Sequence, residues 1–458
     1  MRALGVDLGS TAIKACLWDL QPGRTPISLH RASRDLPVQV PRPGWAVQDP
    51  QATLGAVREL LAEMPDYEAL GFSSAMHGLL PLCESGQPLG LAISWADQRS
   101  WREAEQLLAQ HPDWAEQTGT PLHPMAWPAK LLWWRNHEPS PAYWVGLKEW
   151  VVSQLAGMDR PVWMDRSMAS ATGLYAGSDW SAEILQECGV GREQLPTVIE
   201  PDQVLPEFSV RTVLGAGDGP LSHLGTGAVR PDQACLSIGT SGALRMVCGP
   251  EAGTDAGKLF RYYLADQRWV RGGAISNGSL VLDWVRGLQG LTPQALLESI
   301  AKIPPGSEGL VALPYLMGER SPIWDARARG ALVGLSVQHT QAHMARAMLE
   351  GVVFALRQVA ECLQKASEIR VTGGLSRSPI WLQMLADGLN QPVLAMSEGE
   401  AGALGAAQLA AGFSVEPEVL ARYEPRDSDR YEQAYATYSQ LYPALRQVMH
   451  RDGDTAPR

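Results

Sequence analysis

Asp218 stands in Gly215-Ala216-Gly217-Asp218-Gly219, at the end of an apolar run over residues 212–216 and just before residues 220–224, which would open a helix. A carboxylate fixed at a strand end can accept the proton of an alcohol as that alcohol attacks a γ-phosphate. The plainer reading is a solvated turn Asp. The cluster superficially matches a dinucleotide fingerprint, but GxGxxG needs glycine where Pro220 stands. That reading fails.

Gly5-Val6-Asp7-Leu8-Gly9-Ser10-Thr11 places a second acid, glycines and two hydroxyls on a tight turn. Glycine lets backbone N–H groups approach an anion, and the hydroxyls of Ser10 and Thr11 add donors. Lys14, on the returning strand, can reach the same anion. GxxxxGK[ST] is absent and a strand follows, so this is no P-loop. Alone it would pass for an ordinary hairpin, yet it recurs as Gly239-Thr240-Ser241-Gly242. Two such hairpins facing each other across a cleft would grip a polyphosphate from both sides.

Ser73-Ser74-Ala75-Met76-His77-Gly78 and Trp95-Ala96-Asp97-Gln98-Arg99-Ser100 each follow a strand. Trp, Asp, Arg and His converging at strand ends suit a polyol, the aromatic face covering C–H groups while the polar groups bind hydroxyls. Taken alone, Asp97 and Arg99 would be a local surface ion pair. Val371-Thr372-Gly373-Gly374-Leu375-Ser376 reads as strand, glycine turn and helix start. Adenine or an α-phosphate could rest on its bare glycines, or it is a simple β–α turn. Residues 400–406, EAGALGA, mark close helix packing.

These residues need elements to hold them. The patterning predicts strand, turn, strand over 3–19, a helix over 52–64 and strands at 69–73 and 79–82. It predicts helices at 101–110, 129–135 and 148–155, with a Pro- and His-rich loop at 118–127 between the first two. The opening hairpin returns over 234–248. A long helix at 340–365, a strand at 368–371 and helices at 378–389 and 401–411 follow, then a helix from Ser428 and a frayed polar end. The fold class is therefore α/β in two lobes, each opening with the same hairpin, 1–227 and 228–458.

Composition bounds the function. With 45% hydrophobic and 19% charged residues, the 458-residue chain can bury sizeable cores. A formal charge of −11 argues against nucleic acid as a partner. No apolar run is long enough for a membrane span, and the chain enters a strand without an apolar leader. Six scattered cysteines suggest neither a zinc site nor a disulfide framework, so a reducing cytoplasm is expected. Ten of the 16 tryptophans fall between Trp95 and Trp180, either as packing in one domain or as an aromatic-walled cleft or subunit interface.

The motifs GVDLGST, SSAMHG, WADQRS, GAGDG, IGTSG, YLMGERSPIWD and VTGGLSRS, in this order, resemble the FGGY carbohydrate kinases of the actin-like ATPase superfamily. Residues 119–133, 167–180, 215–225 and 239–245 are similar to the gluconate kinases among them. The resemblance implies two ribonuclease-H-like lobes with a cleft between them, ATP and Mg²⁺ as cofactors, and phosphorylation of D-gluconate to 6-phospho-D-gluconate. A xylulokinase or another pentulose or polyol kinase is the alternative, and the Gly78 of MHG is closer to the xylulose-kinase form.

By the same resemblance Asp218 is the general base, and Asp7 and Asp218 hold the metal. Ser10, Thr11, Lys14, Gly239, Thr240 and Ser241 bind phosphates, and Gly373, Gly374 and Ser378 bind the adenosine. Met76, His77, Trp95 and Asp97 line the sugar pocket. A sugar carboxylate needs a cation, for which His123, Lys130 and Lys148 are nominated. The family is compatible with a homodimer.

Overall fold

The computed structural model describes residues 1–450, so the polar end expected after the last helix lies outside the described residues. The chain divides into two compact units. One comprises Met1–Val229 with Val247–Arg271 and Glu400–Pro417; the other comprises Arg230–Met246, Gly272–Gly399 and the chain from Glu418. Two segments beyond residue 228 therefore belong with the first unit.

The first unit is built on a five-stranded sheet in the order Arg211–Gly217, Ala69–Ser74, Arg2–Leu8, Ala12–Asp19, Ile27–Asp35. The first three strands are mutually parallel, and the opening hairpin is antiparallel with Asp7 opposite Lys14. Leu4, Val6, Leu8, Phe72 and Leu214 leave this sheet for a core that also takes in Leu54, Val57 and Trp150.

The helix Ala401–Ala411 packs on the same unit. A Cβ on Gly5 would come 1.9 Å from the Ala403 carbonyl oxygen, and one on Gly71 2.1 Å from that of Ala406. Backbone meets backbone there, which explains a helix made of Ala and Gly. The close packing read from EAGALGA is what the structure has.

In the second unit, strands run in the order Gly242–Cys248, Gln233–Ile238, Glu368–Thr372, Val393–Met396, Val419–Tyr423. Gln233–Ile238 and Gly242–Cys248 form the second hairpin, and Glu368–Thr372 lies parallel to the first of them. The arrangement of hairpin plus parallel strands thus repeats that of the first unit. The helix Gln341–Glu361 supplies Phe354 to a core with Tyr315, Tyr431 and Tyr438.

Most expected elements appear with small shifts. The helix expected at 129–135 spans Trp127–His137, because Pro128 is tolerated in a first turn whose N–H groups have no intrahelical partner. Among the described residues no helix is long and apolar enough to cross a membrane.

Candidate active site

In the first unit the two acids come together at the ends of parallel strands. Asp7 lies near the end of Arg2–Leu8, and its Oδ1 accepts a 2.6 Å hydrogen bond from Ser73 Oγ. Asp218 opens the helix Asp218–Thr226 directly after strand Arg211–Gly217. Gly402 marks their proximity, since a Cβ there would lie 3.7 Å from Asp7 Oδ1 and 3.8 Å from Asp218 Cα. Burial pushes the Asp7 carboxyl up to about 6; the charges of Asp218 and Glu400 push the same way, while Ser73 and Lys14 oppose them.

The glycines around Asp218 have separate reasons. Gly215 sits at a register shift in its strand with φ of 71°, where a Cβ would meet the Phe72 carbonyl oxygen at 1.7 Å. A Cβ on Gly217 would strike the Met76 side chain at 2.7 Å. Asp218 is thereby set beside Met76, and its Oδ1 accepts from Gly219 N at 2.7 Å.

A small pocket in this unit is lined by Ser74, Met76, Gly78, Ser94, Trp95 and Lys148 among others. Met76 and Trp95 are therefore brought together. His77, at a φ of 65°, donates from Nδ1 to the Ala171 carbonyl at 2.8 Å, leaving Nε2 to accept from the Tyr262 hydroxyl at 3.3 Å. Asp97 is buried, accepting from Ala46 N at 2.7 Å and from Arg99 Nε and Nη2 at 2.8 and 2.6 Å. The Asp97–Arg99 pair is local, as one reading had it, but it is buried rather than on the surface. Trp114, Trp127 and Trp150 are fully buried, so the tryptophan-rich stretch is mostly packing, with Trp95 on the pocket wall.

The three cations nominated for a sugar carboxylate all have partners inside the chain. Lys148 Nζ donates to Asp165 Oδ2 at 2.5 Å and lies 3.7 Å from Glu149 Oε1, with no exposed surface on any of the three side chains. Lys130 Nζ donates to the His77 carbonyl at 2.6 Å, and His123 Nδ1 accepts from Met125 N. Lys14 likewise bonds both oxygens of Glu400, at 2.9 and 2.8 Å; that carboxylate outweighs the effect of burial and raises the ammonium. Ser10 and Thr11 form the open tip of the first hairpin.

In the second unit the tip Gly239–Ser241 is held by the segment before the helix Ser279–Gln289. Gly278 N donates to the Thr240 carbonyl at 2.9 Å and Ser279 N to that of Gly239 at 2.7 Å. Gly373 has φ of 100°, and a Cβ there would meet the Ile238 carbonyl oxygen at 2.3 Å. So the glycine turn and the hairpin tip share one strand end, while Gly374 is open. Gly278 was not singled out from the sequence, although GGAISNGS carried a Gly/Ser signal. Asn277 also escaped notice, and Glu319, within YLMGERSPIWD, had no role assigned from the sequence; it accepts from Ser276 N and Asn277 Nδ2, so the GER motif braces this segment.

Ser378 caps the helix Pro379–Leu389, its Oγ accepting from Trp381 N at 3.4 Å. Ser378→Ala is expected to lower stability by about 0.5–1 kcal/mol in denaturant unfolding. Its KM for ATP should stay within about twofold; a rise of about tenfold would assign the hydroxyl to the nucleotide.

Comparison with known proteins agrees over nearly the whole chain. The N-terminal domain of the FGGY family of carbohydrate kinases matches residues 2–220, and the C-terminal domain matches 234–412. The chain is 34% identical over 447 residues to the gluconokinase of Bacillus subtilis, covering 88% of this chain and 86% of that one. The crystal structure of gluconate kinase from Lactobacillus acidophilus matches with a TM-score of 0.87 and 31% identity, covering 96% of this chain and 97% of that one. Ligand-bound xylulose kinase from the same organism gives 0.88 and 30%, covering 97% and 98%.

Proposed function

We propose that this chain, which belongs to the FGGY family of carbohydrate kinases, transfers the γ-phosphoryl group of ATP to the C6 hydroxyl of D-gluconate. The products are ADP and 6-phospho-D-gluconate. The observation that carries the chemistry is the meeting of Asp7 and Asp218 around Gly402, with Met76 beside Gly217. Asp218 accepts the hydroxyl proton as the oxygen attacks, and the sugar lies against Met76 and Trp95. The hairpin tips, Ser10 and Thr11 in one unit and Gly239–Ser241 in the other, offer N–H and hydroxyl donors to phosphate oxygens. Gly374, open where a Cβ would stand, leaves room for the adenosine, and Gly373 lets the turn lie against the end of strand Gln233–Ile238.

The donor set fits Mg²⁺. Among the described residues no group of three or more metal-ligating side chains occurs. Mg²⁺ typically takes one or two protein carboxylates and keeps water and phosphate for the rest. Burial first, and then the charge of Asp218, push Asp7 up to about 6, and a divalent cation beside it relieves both. Asp7 and Asp218 would hold it. When bound, it supplies charge neutralisation to the β- and γ-phosphates. The six free cysteines suit a reducing cytoplasm.

Gluconate as the acceptor is supported by the gluconokinase of B. subtilis and by the four similar segments. The internal partners of Lys130 and Lys148 favour a second reading, a neutral sugar such as xylulose, because those ammonium groups are already engaged. ADP release with Mg-ATP, measured against D-gluconate, D-xylulose, L-ribulose, glycerol and no sugar, decides between them. We expect kcat/KM for gluconate to exceed the others by about 10²-fold or more. A higher value for xylulose would keep the kinase and replace the acceptor.

A further inference from the structure

The helix Trp127–His137 places two donors on one face of its first turn, three residues apart. Trp127 Nε1 donates to the Gly78 carbonyl at 3.1 Å. Lys130 Nζ donates to the His77 carbonyl at 2.6 Å and reaches that of Ile93 at 3.5 Å. Both side chains are about 1% exposed. The carbonyls they hold belong to two different loops. One carries Met76, His77 and Gly78; the other runs from Ile93 into Ser94 and Trp95, and both loops line the same pocket.

The gripped backbone is itself unusual. His77 has φ of 65°, a left-handed conformation that a non-glycine residue keeps only when its surroundings impose it. Leu79 and Ile93 exchange N–H···O bonds at 2.9 and 2.8 Å, so the two loops already run side by side, and the ammonium lies where they part toward the pocket. A buried lysine is an expensive way to satisfy two carbonyls. Burial pushes Lys130 down to about 7, with the charge of Asp97 only partly offsetting it. A methionine would fill the same length without that cost.

We infer that Lys130, assisted by Trp127, is a positioning residue for the acceptor: it fixes the left-handed His77 peptide and the Met76 and Trp95 walls, and so sets the affinity for sugar without touching ATP. The inference rests on the reading of this pocket as the acceptor site.

The test is a split in Michaelis constants, measured on the full chain with whichever sugar the wild type turns over fastest. Lys130→Met is expected to raise KM for the sugar about tenfold or more while KM for ATP and sugar-independent ATP hydrolysis stay within about twofold. Lys130→Gln, which keeps an N–H donor, should recover part of that loss. Trp127→Phe keeps a smaller aromatic ring and loses the Nε1 donor, and should raise KM for the sugar several-fold; it carries the test if Lys130→Met does not fold. Variants that lose thermal stability but keep both KM values overturn the inference, as do equal rises in both KM values. A wild type inert with every sugar would instead overturn the kinase reading on which the inference stands.

Discussion

Asp218→Asn is expected to lower kcat by about 10²–10⁴-fold while leaving ATP affinity within about threefold. The substitution is close to isosteric, and the local frame survives it. Oδ1 still accepts from Gly219 N, and Ser222 Oγ still donates to the main-chain carbonyl of residue 218, at 2.7 Å in each case. Gly217 still leaves room for Met76. What disappears is the ability to take a proton from the attacking hydroxyl. Single-turnover phosphorylation, with nucleotide binding by calorimetry alongside, separates the two effects. Near-normal turnover would reject Asp218 as the base. Loss of nucleotide binding together with turnover would make holding the metal–nucleotide complex, which it shares with Asp7, its dominant role.

The motif-bearing turns were legible in the sequence because each is a local event. GVDLGST and IGTSG show a strand meeting glycine and hydroxyls, and both fold into antiparallel hairpins with their tips where the glycines stand. GAGDG and VTGGLS were legible for the same reason, and Gly215 and Gly373 occupy positive φ.

Partnerships across the chain were not legible. Lys148 meets Asp165 across 17 residues and Lys130 meets His77 across 53, and nothing in a lysine's flanking residues announces that its charge has an internal acceptor. Membership of 247–271 and 400–417 in the first unit is likewise a long-range fact. The turn that brings Tyr262 to His77 was hidden for a local reason. Phe260–Ala265 and Arg268–Ile275 flank Asp266-Gln267, whose φ values of 50° and 58° are ordinarily signalled by glycine, and neither residue is glycine.

Asp7→Asn should abolish phosphoryl transfer and stabilise the metal-free protein at the same time. Burial pushes Asp7 up to about 6 in the fold from an ordinary carboxyl value of 3.8. Between those values the native state binds the more protons, so the stability contributed by this site is complete below about pH 4 and is lost as pH rises to about 6. Above that the ionised carboxylate costs the fold about 2–3 kcal/mol, less whatever solvent screening its half-buried position allows. Asparagine removes the charge and keeps an oxygen for Ser73 Oγ. The variant's thermal midpoint without metal should therefore exceed the wild type's at pH 7.5, with the gap closing toward pH 4. Mg-ATP should raise the wild-type midpoint more than the variant's, because only the wild type has the charge that the cation relieves. An unchanged midpoint at pH 7.5 would mean that the pair is not strained. A stabilised variant that retained turnover would separate the strain from catalysis and remove Asp7 from the metal site. Stabilisation with lost turnover is the outcome expected of two acids brought together for the sake of a bound cation, where activity is maintained at the expense of stability.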